Sequence, residues 1–343
     1  MKIIDFRSDT VTKPSIEMRK VMYEAEVGDD VYQEDPTTNE LQEYAADIFG
    51  KEAALFVTSG VIGNQICLNV LTNPGDEVIC EKDSHIFWYE SGTPAKLSGL
   101  QLHLIEGENG IMSPEKVRKA IRPETAYYMP RSKVIEVENT HNVAGGVVIP
   151  IENIIELNKI AHENSLYMHL DGARIWNASI ASGILLKDYL KYFDSASCCL
   201  SKGLGAPIGS IILGNKPFIK EAFRVRKSIG GGMRQVGIIA AAGLYAIKNN
   251  FQKLADDHIK AKEIANHLLQ FENVELDINL VQTNIIIFKL KNMDSDYFIK
   301  RCKEKNILLG FGGNDTLRIV THLDITFEDV ELAKNLFTKI LEN

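Results

Sequence analysis

Short apolar runs alternate with helix-patterned segments through the first two-thirds of the chain. That alternation constrains the fold more than any other feature of the 343 residues. The runs at 53–57, 77–80, 134–137, 165–170 and 196–200 are too short for amphipathic helices and read as buried strands. Residues 62–71 and 151–163 carry apolar side chains at helical spacing, and Asn73-Pro74-Gly75 stops the first of these before the next strand. Parallel strands need crossovers long enough to hold a helix, so strict strand–helix succession predicts an α/β domain with a mostly parallel sheet. Near residue 249 the pattern changes to a helix at 254–271, strands at 284–290, 307–309 and 317–320, and a closing helix at 327–341. The expected division is therefore 1–248, an N-terminal arm plus a large α/β domain, and 249–343, a smaller α+β domain.

The formal charge of −8 leaves no basic excess to neutralise phosphates, which argues against nucleic-acid and acidic-membrane partners and leaves a small-molecule substrate. Five cysteines without CxxC or Cys/His spacing predict reduced thiols and no metal site. The first residues lack the apolar stretch of a signal peptide, and the most apolar helical segment, 236–247, is too short to span a bilayer. The expected location is the cytoplasm.

The chemistry concentrates where strands end. Lys202, in Cys199-Leu200-Ser201-Lys202-Gly203, follows an apolar strand, at the carboxyl edge where α/β sheets place ligands. Beside apolar walls its ammonium form is disfavoured, which suits a Schiff base with a carbonyl cofactor. Alone, it also suits a solvent-facing lysine. Asp171, in His169-Leu170-Asp171-Gly172-Ala173-Arg174, ends another strand 31 residues earlier. A carboxylate there keeps the pyridine nitrogen of pyridoxal phosphate (PLP) protonated, and so keeps the cofactor electron-poor. Alone, Asp171 also suits a helix cap with Arg174 as a surface partner; the two spacings together favour PLP.

Thr58-Ser59-Gly60-Val61-Ile62-Gly63-Asn64 lies between a strand and a helix, where backbone N–H groups and the Ser59 hydroxyl suit a phosphate. A plain strand–turn–helix connection fits equally, because only a loose G-x-x-G is present. Arg234, after Gly230-Gly231-Gly232-Met233, offers a guanidinium to a phosphate or carboxylate. Gly310-Phe311-Gly312-Gly313 reads as a turn. His85 and His141 follow strands at the same edge and suit ring stacking or proton transfer.

Eight blocks in order carry a family resemblance. They are Asp5 to Thr12, Gly28 to Tyr32, Glu34 to Thr37, Asp83 to Glu90, Glu138 to Asn142, His169 to Arg174, Leu200 to Leu204 and Gly231 to Gln235. The chain resembles the low-specificity L-type threonine aldolases, PLP enzymes of fold type I, the PLP-dependent transferase-like fold. The resemblance implies cleavage of L-threonine or L-allo-threonine to glycine and acetaldehyde. It implies that Lys202 holds the cofactor through a Schiff base, Asp171 pairs with the ring nitrogen, and His85 stacks on the ring. Ser59 and Gly60 hold the phosphate, and Arg174 reaches the cofactor or the substrate carboxylate. Ser8 and Arg318 bind that carboxylate, and His141 stands near the substrate hydroxyl. Arg234 and Tyr32 reach a neighbouring subunit's site in a homotetramer built from dimers. Two positions depart from the family pattern: Val61 replaces a threonine that would give the phosphate a hydroxyl, and Gln33 replaces a glycine beside Tyr32.

Two other readings remain. A PLP-dependent β-eliminating amino-acid lyase would share the lysine and aspartate but release pyruvate and ammonia. A non-catalytic PLP-binding regulatory protein would not need the carboxylate-binding residues and both histidines.

Overall fold

A computed structural model describes residues 2–313 and 315–342. Thirteen strands form among them: β1 (Ile4–Asp5), β2 (Ala53–Val57), β3 (Glu77–Glu81), β4 (Gln101–Ile105), β5 (Ser132–Glu138), β6 (Tyr167–Asp171), β7 (Ser195–Cys199), β8 (Ser210–Gly214), β9 (Val274–Glu275), β10 (Ile285–Leu290), β11 (Ile307–Leu308), β12 (Gly310–Gly313) and β13 (Thr316–Val320). Seven make the central sheet, in the order β2-β8-β7-β6-β5-β3-β4. Strand β8 runs antiparallel to both neighbours, and the other six are parallel to one another. The expected α/β class with a mostly parallel sheet is the observed one.

Both faces of this sheet are covered, as continuous apolar strands require. Leu55, Val57 and Ile212 pack against helices Gly60–Leu71 and Lys216–Ser228. Phe56, Ile211 and Leu213 point the other way into the main core, with Leu41 and Phe49 of helix Pro36–Phe49 and Ala240 and Leu244 of helix Gly237–Asn250. Asp35 starts Pro36–Phe49 by accepting the Thr38 N–H at 2.8 Å, and Gly50 ends it at φ 63°, where a Cβ would cost energy.

A second core gathers Ala261, Ile264 and Leu268 of helix Leu254–Leu268, the apolar face of β10 and β13, and Val330, Ala333 and Phe337 of helix Phe327–Leu341. Its sheet runs β12-β13-β10-β9, all antiparallel. Ile4 and Phe6 belong to this core, because β1 pairs with β11. The glycine run expected as a turn is instead the strand β12, beside β13, with an irregularity between Phe311 and Gly313. Its three glycines gave no strand signal; pairing with β13 supplies what its side chains do not. Strands β4 and β8 were also not anticipated. The first is an edge strand with polar Gln101 and His103 in it; the second is a brief apolar run between glycines. No described helix is long and apolar enough to cross a membrane.

Candidate active site

Because β2, β3, β5, β6 and β7 are parallel, their carboxyl ends meet at one edge of the sheet. That geometry delivers Ser59, His85, His141, Asp171 and Lys202 to the same edge, Asp171 as the last residue of its strand and the others just past theirs. Asp171 and Lys202 come from adjacent strands, since Asp171 is in register with Ser197 of β7.

Asp171 is buried and held from two sides. The Asn64 amide donates to its Oδ2 at 2.7 Å and the Ala173 N–H to its Oδ1 at 3.0 Å. The same Asn64 amide donates to Oε1 of buried Glu90 at 2.9 Å, and that oxygen lies 3.0 Å from Nδ1 of His85. Ligand atoms of His85, Glu90 and Asp171 all fall within 4.8 Å of one another. Burial pulls the His85 pKa down, but its contact with Glu90 and the nearby Asp171 and Glu138 carboxylates prevail and raise it. Below Asn64, His169 is fully buried and pushed down to about 4 by desolvation, so it is neutral.

Lys202 is half-buried, and its Nζ makes no hydrogen bond or ion pair with any described residue. Its backbone is fixed instead: the carbonyl accepts from Thr12 Oγ1 at 3.0 Å and from the Gly205 N–H at 2.9 Å. Ser59 caps helix Gly60–Leu71, accepting the Ile62 N–H at 3.3 Å. The helix start presses on β7 so closely that a Cβ on Gly60 would lie 2.6 Å from Cys199 Sγ, and one on Gly63 would overlap Ser197. First-turn amides have no carbonyl one turn back, so this terminus offers free donors. A free amine, a buried carboxylate and a capped helix start on one edge fit the aldehyde, ring nitrogen and phosphate of PLP.

A cationic group flanks this edge. Arg174 is buried and donates twice to Asp9, at 2.7 and 2.8 Å, and once to Asn142 Oδ1 at 3.0 Å. Arg318 donates to the same Asn142 oxygen at 2.8 Å. Its Nε is buried without a partner, and no carboxylate lies within ion-pair distance among the described residues. Burial and the neighbouring Arg174 bring Arg318 down to about 10, still a cation at neutral pH. Ser8 stands at the head of the Asp9–Val11 turn, its Oγ accepting from Thr10.

The remaining expected residues are His141, Tyr32 and Arg234, the last two expected at a neighbouring subunit's site. His141 is 1% exposed, with Nε2 3.2 Å from Glu81 Oε2, poorly aligned for a hydrogen bond, and Nδ1 accepting the Ala144 N–H at 3.3 Å. Both its nitrogens face protein. Tyr32 is 71% exposed, and Arg234 extends outward to Asp29 at 2.8 Å. Neither touches the Lys202 edge of its own chain. Asn64, Glu90, Asn142 and Asp9 were not singled out by sequence. Their signal was weak, because a buried asparagine or glutamate shows its role only through partners distant in the chain.

A parallel sheet carrying a lysine and an aspartate at adjacent strand ends defines a class, and the chain belongs to the beta-eliminating lyase family, whose model matches residues 5–291. Within that class its curated relatives are narrower in kind. It is 41% identical over 347 residues to Low-specificity L-threonine aldolase 1 of Arabidopsis thaliana, covering 99% of this chain and 97% of that one. The fold is shared with the threonine aldolase of Leishmania major, at TM-score 0.85 and 17% identity, covering 98% and 99% of the two chains. It is also shared with a serine palmitoyltransferase variant from S. paucimobilis solved with PLP bound, at TM-score 0.78 and 15% identity, covering 98% and 87%.

Proposed function

We propose that this chain holds PLP on Lys202 and cleaves β-hydroxy-α-amino acids, L-threonine and L-allo-threonine above all, to glycine and an aldehyde. The observation that carries this reading is a lysine amine with no partner among the described residues, beside a buried, doubly supported aspartate at adjacent ends of a parallel sheet. Bound there, PLP supplies an electron sink for the pair released when the Cα–Cβ bond breaks. Asp171 would keep a proton on the ring nitrogen, and Ser59 and Gly60 would hold the phosphate. Arg318, a cation without a carboxylate partner among the described residues, binds the substrate carboxylate with Ser8, while Arg174, neutralised by Asp9, fixes Asn142 between the two guanidiniums. This clamp would fix the orientation of the substrate's Cα substituents at the sheet edge. His85 takes the β-hydroxyl proton; His141, with both nitrogens turned to protein, supports the wall.

We further infer a homotetramer in which Tyr32 and Arg234 complete a neighbour's site, supported by their exposure away from their own. Light scattering should give a mass four times 38.3 kDa. Five buried free cysteines support a cytoplasmic location.

The purified protein should show an absorbance band near the visible edge and release aldehyde from threonine in a reductase-coupled assay. Lys202→Ala should lose both. Pyruvate in place of aldehyde would move the chain to the β-elimination chemistry named by its family model, and a spectrum unchanged in Lys202→Ala would sink the cofactor assignment.

A further inference from the structure

We propose that Glu90 is a positioning residue: by accepting a hydrogen bond from Nδ1 it holds His85 in the tautomer whose Nε2 takes the proton of the substrate's β-hydroxyl. This rests on the reading above and assigns its proton acceptor down to the atom.

Glu90 is 1% exposed and receives three contacts. His85 Nδ1 lies 3.0 Å and Asn64 Nδ2 2.9 Å from Oε1, and Gln65 Nε2 lies 2.6 Å from Oε2. An ionised carboxylate only accepts, so the nitrogen facing it must carry hydrogen. Neutral imidazole has one N–H, so in His85 the lone pair is on Nε2. That nitrogen has no partner among the described residues, and the side chain is 27% exposed. The His85 backbone N–H is tied at 2.8 Å to Glu138 Oε2, which anchors the residue from its other side.

The carboxylate is itself fixed from behind. Both Asn64 amide hydrogens are spent, one on Glu90 and one on Asp171, so Asn64 Oδ1 must accept from Nε2 of His169, 3.2 Å away. Neutral His169 then has a bare Nδ1, which accepts from Ser195 Oγ at 2.8 Å. One chain of donors, Ser195 to His169 to Asn64, ends on the two carboxylates, so Asp171 and His85 are oriented by the same asparagine. The proton step balances: the O–H pair becomes the second carbonyl bond, the Cα–Cβ pair stays on Cα, and the proton rests on Nε2 until Cα is protonated.

The test has two parts. In the unsubstituted holoenzyme labelled with ¹⁵N-histidine, with His85→Asn for assignment, His85 should show its Nδ1 protonated; protonation at Nε2 alone would overturn the proposal. In Glu90→Gln, kcat for aldehyde release should fall about 100-fold or more, the lower range of what a placed general base contributes. KM for threonine should stay within about threefold, because the arginine clamp is separate, and the visible band should persist. The acidic limb of the kcat profile should move to lower pH, since the carboxylate that favours protonated His85 is gone, and Glu90→Asp should restore part of kcat. An unmoved pH profile, or a kcat loss matched by loss of the band, would also overturn it. If the unsubstituted holoenzyme shows the Nδ1 tautomer but releases no aldehyde, the aldolase reading fails and the hold of Glu90 on His85 stands.

Discussion

Arg174 and Arg318 carry the same charge in different company. Arg174 has Asp9 bound in parallel through two nitrogens, whereas Arg318 has only an asparagine oxygen. Their substitutions should therefore fail in different ways. Arg318→Lys keeps the charge but loses the guanidinium geometry, and the charge-assisted hydrogen bond at stake is about 1.5–3 kcal/mol. We expect KM for threonine to rise about tenfold or more with a smaller change in kcat, measured by coupled assay. Arg174→Ala strands a fully buried carboxylate and should destabilise the fold by about 3–5 kcal/mol in urea unfolding. Equal stability losses in the two variants would contradict this division. Lys202 and Asp171 could be read from sequence because each stands at or just past a strand end in a short motif, with Arg174 three residues after Asp171; Arg318, in the middle of β13, came only from the family resemblance. The supporting partners could not, because Asn64 and Asp171 lie 107 positions apart and meet only when helix Gly60–Leu71 packs on the sheet.

That helix is where an element carries function. Its start is pinned to β7 by the absence of side chains at Gly60 and Gly63, so its free amides are held at a fixed height above the sheet edge. Val61, in the first turn, places a methyl where a hydroxyl would add one donor. A neutral hydrogen bond contributes about 0.5–1.5 kcal/mol net, so Val61→Thr should tighten PLP retention by a few-fold to about tenfold, measured by dialysis against a competing carbonyl reagent. No tightening would mean that the phosphate does not reach position 61. Gln33, the other departure, sits at φ 59°, a left-handed conformation that glycine adopts without strain. Periodicity found Ile151–Glu163 and placed the closing helix at Phe327–Leu341, but it ran Leu254–Leu268 on to 271 and did not anticipate Pro36–Phe49 or Lys216–Ser228. It missed β4, β8 and β12, whose existence depends on neighbouring strands rather than on their own side chains.

Over the whole molecule, acids outnumber bases, and some are kept deep inside. Glu136 of β5 is fully buried with neither carboxyl oxygen paired, in register with His169 of β6. Around it stand Cys80 and Glu81 of β3, Glu138 of its own strand, Asp171 of β6, and Glu90. Burial first, then these carboxylates, hold Glu136 protonated far above its ordinary range. A folded state that binds this proton more tightly than the unfolded chain loses stability as pH rises above the unfolded carboxyl's pKa. Glu136→Gln cannot ionise in either state. It should be more stable than the unsubstituted protein at neutral pH, with a stability that falls less between pH 5 and 8; urea midpoints at both pH values check this. An equal fall in the two proteins would mean that Glu136 is charged in the fold.

The pairing of Ile4–Asp5 with Ile307–Leu308 joins segments that lie roughly 300 residues apart in the chain. On a ribosome adding about 5–20 residues per second, the first strand emerges on the order of 15–60 s before its partner exists. During that interval Ile4 and Phe6 have no core to enter, and Arg318 has not yet been made. The large sheet can close while the proposed substrate clamp is still missing a jaw, so nascent chains would acquire the proposed cofactor site before the proposed place for the amino acid.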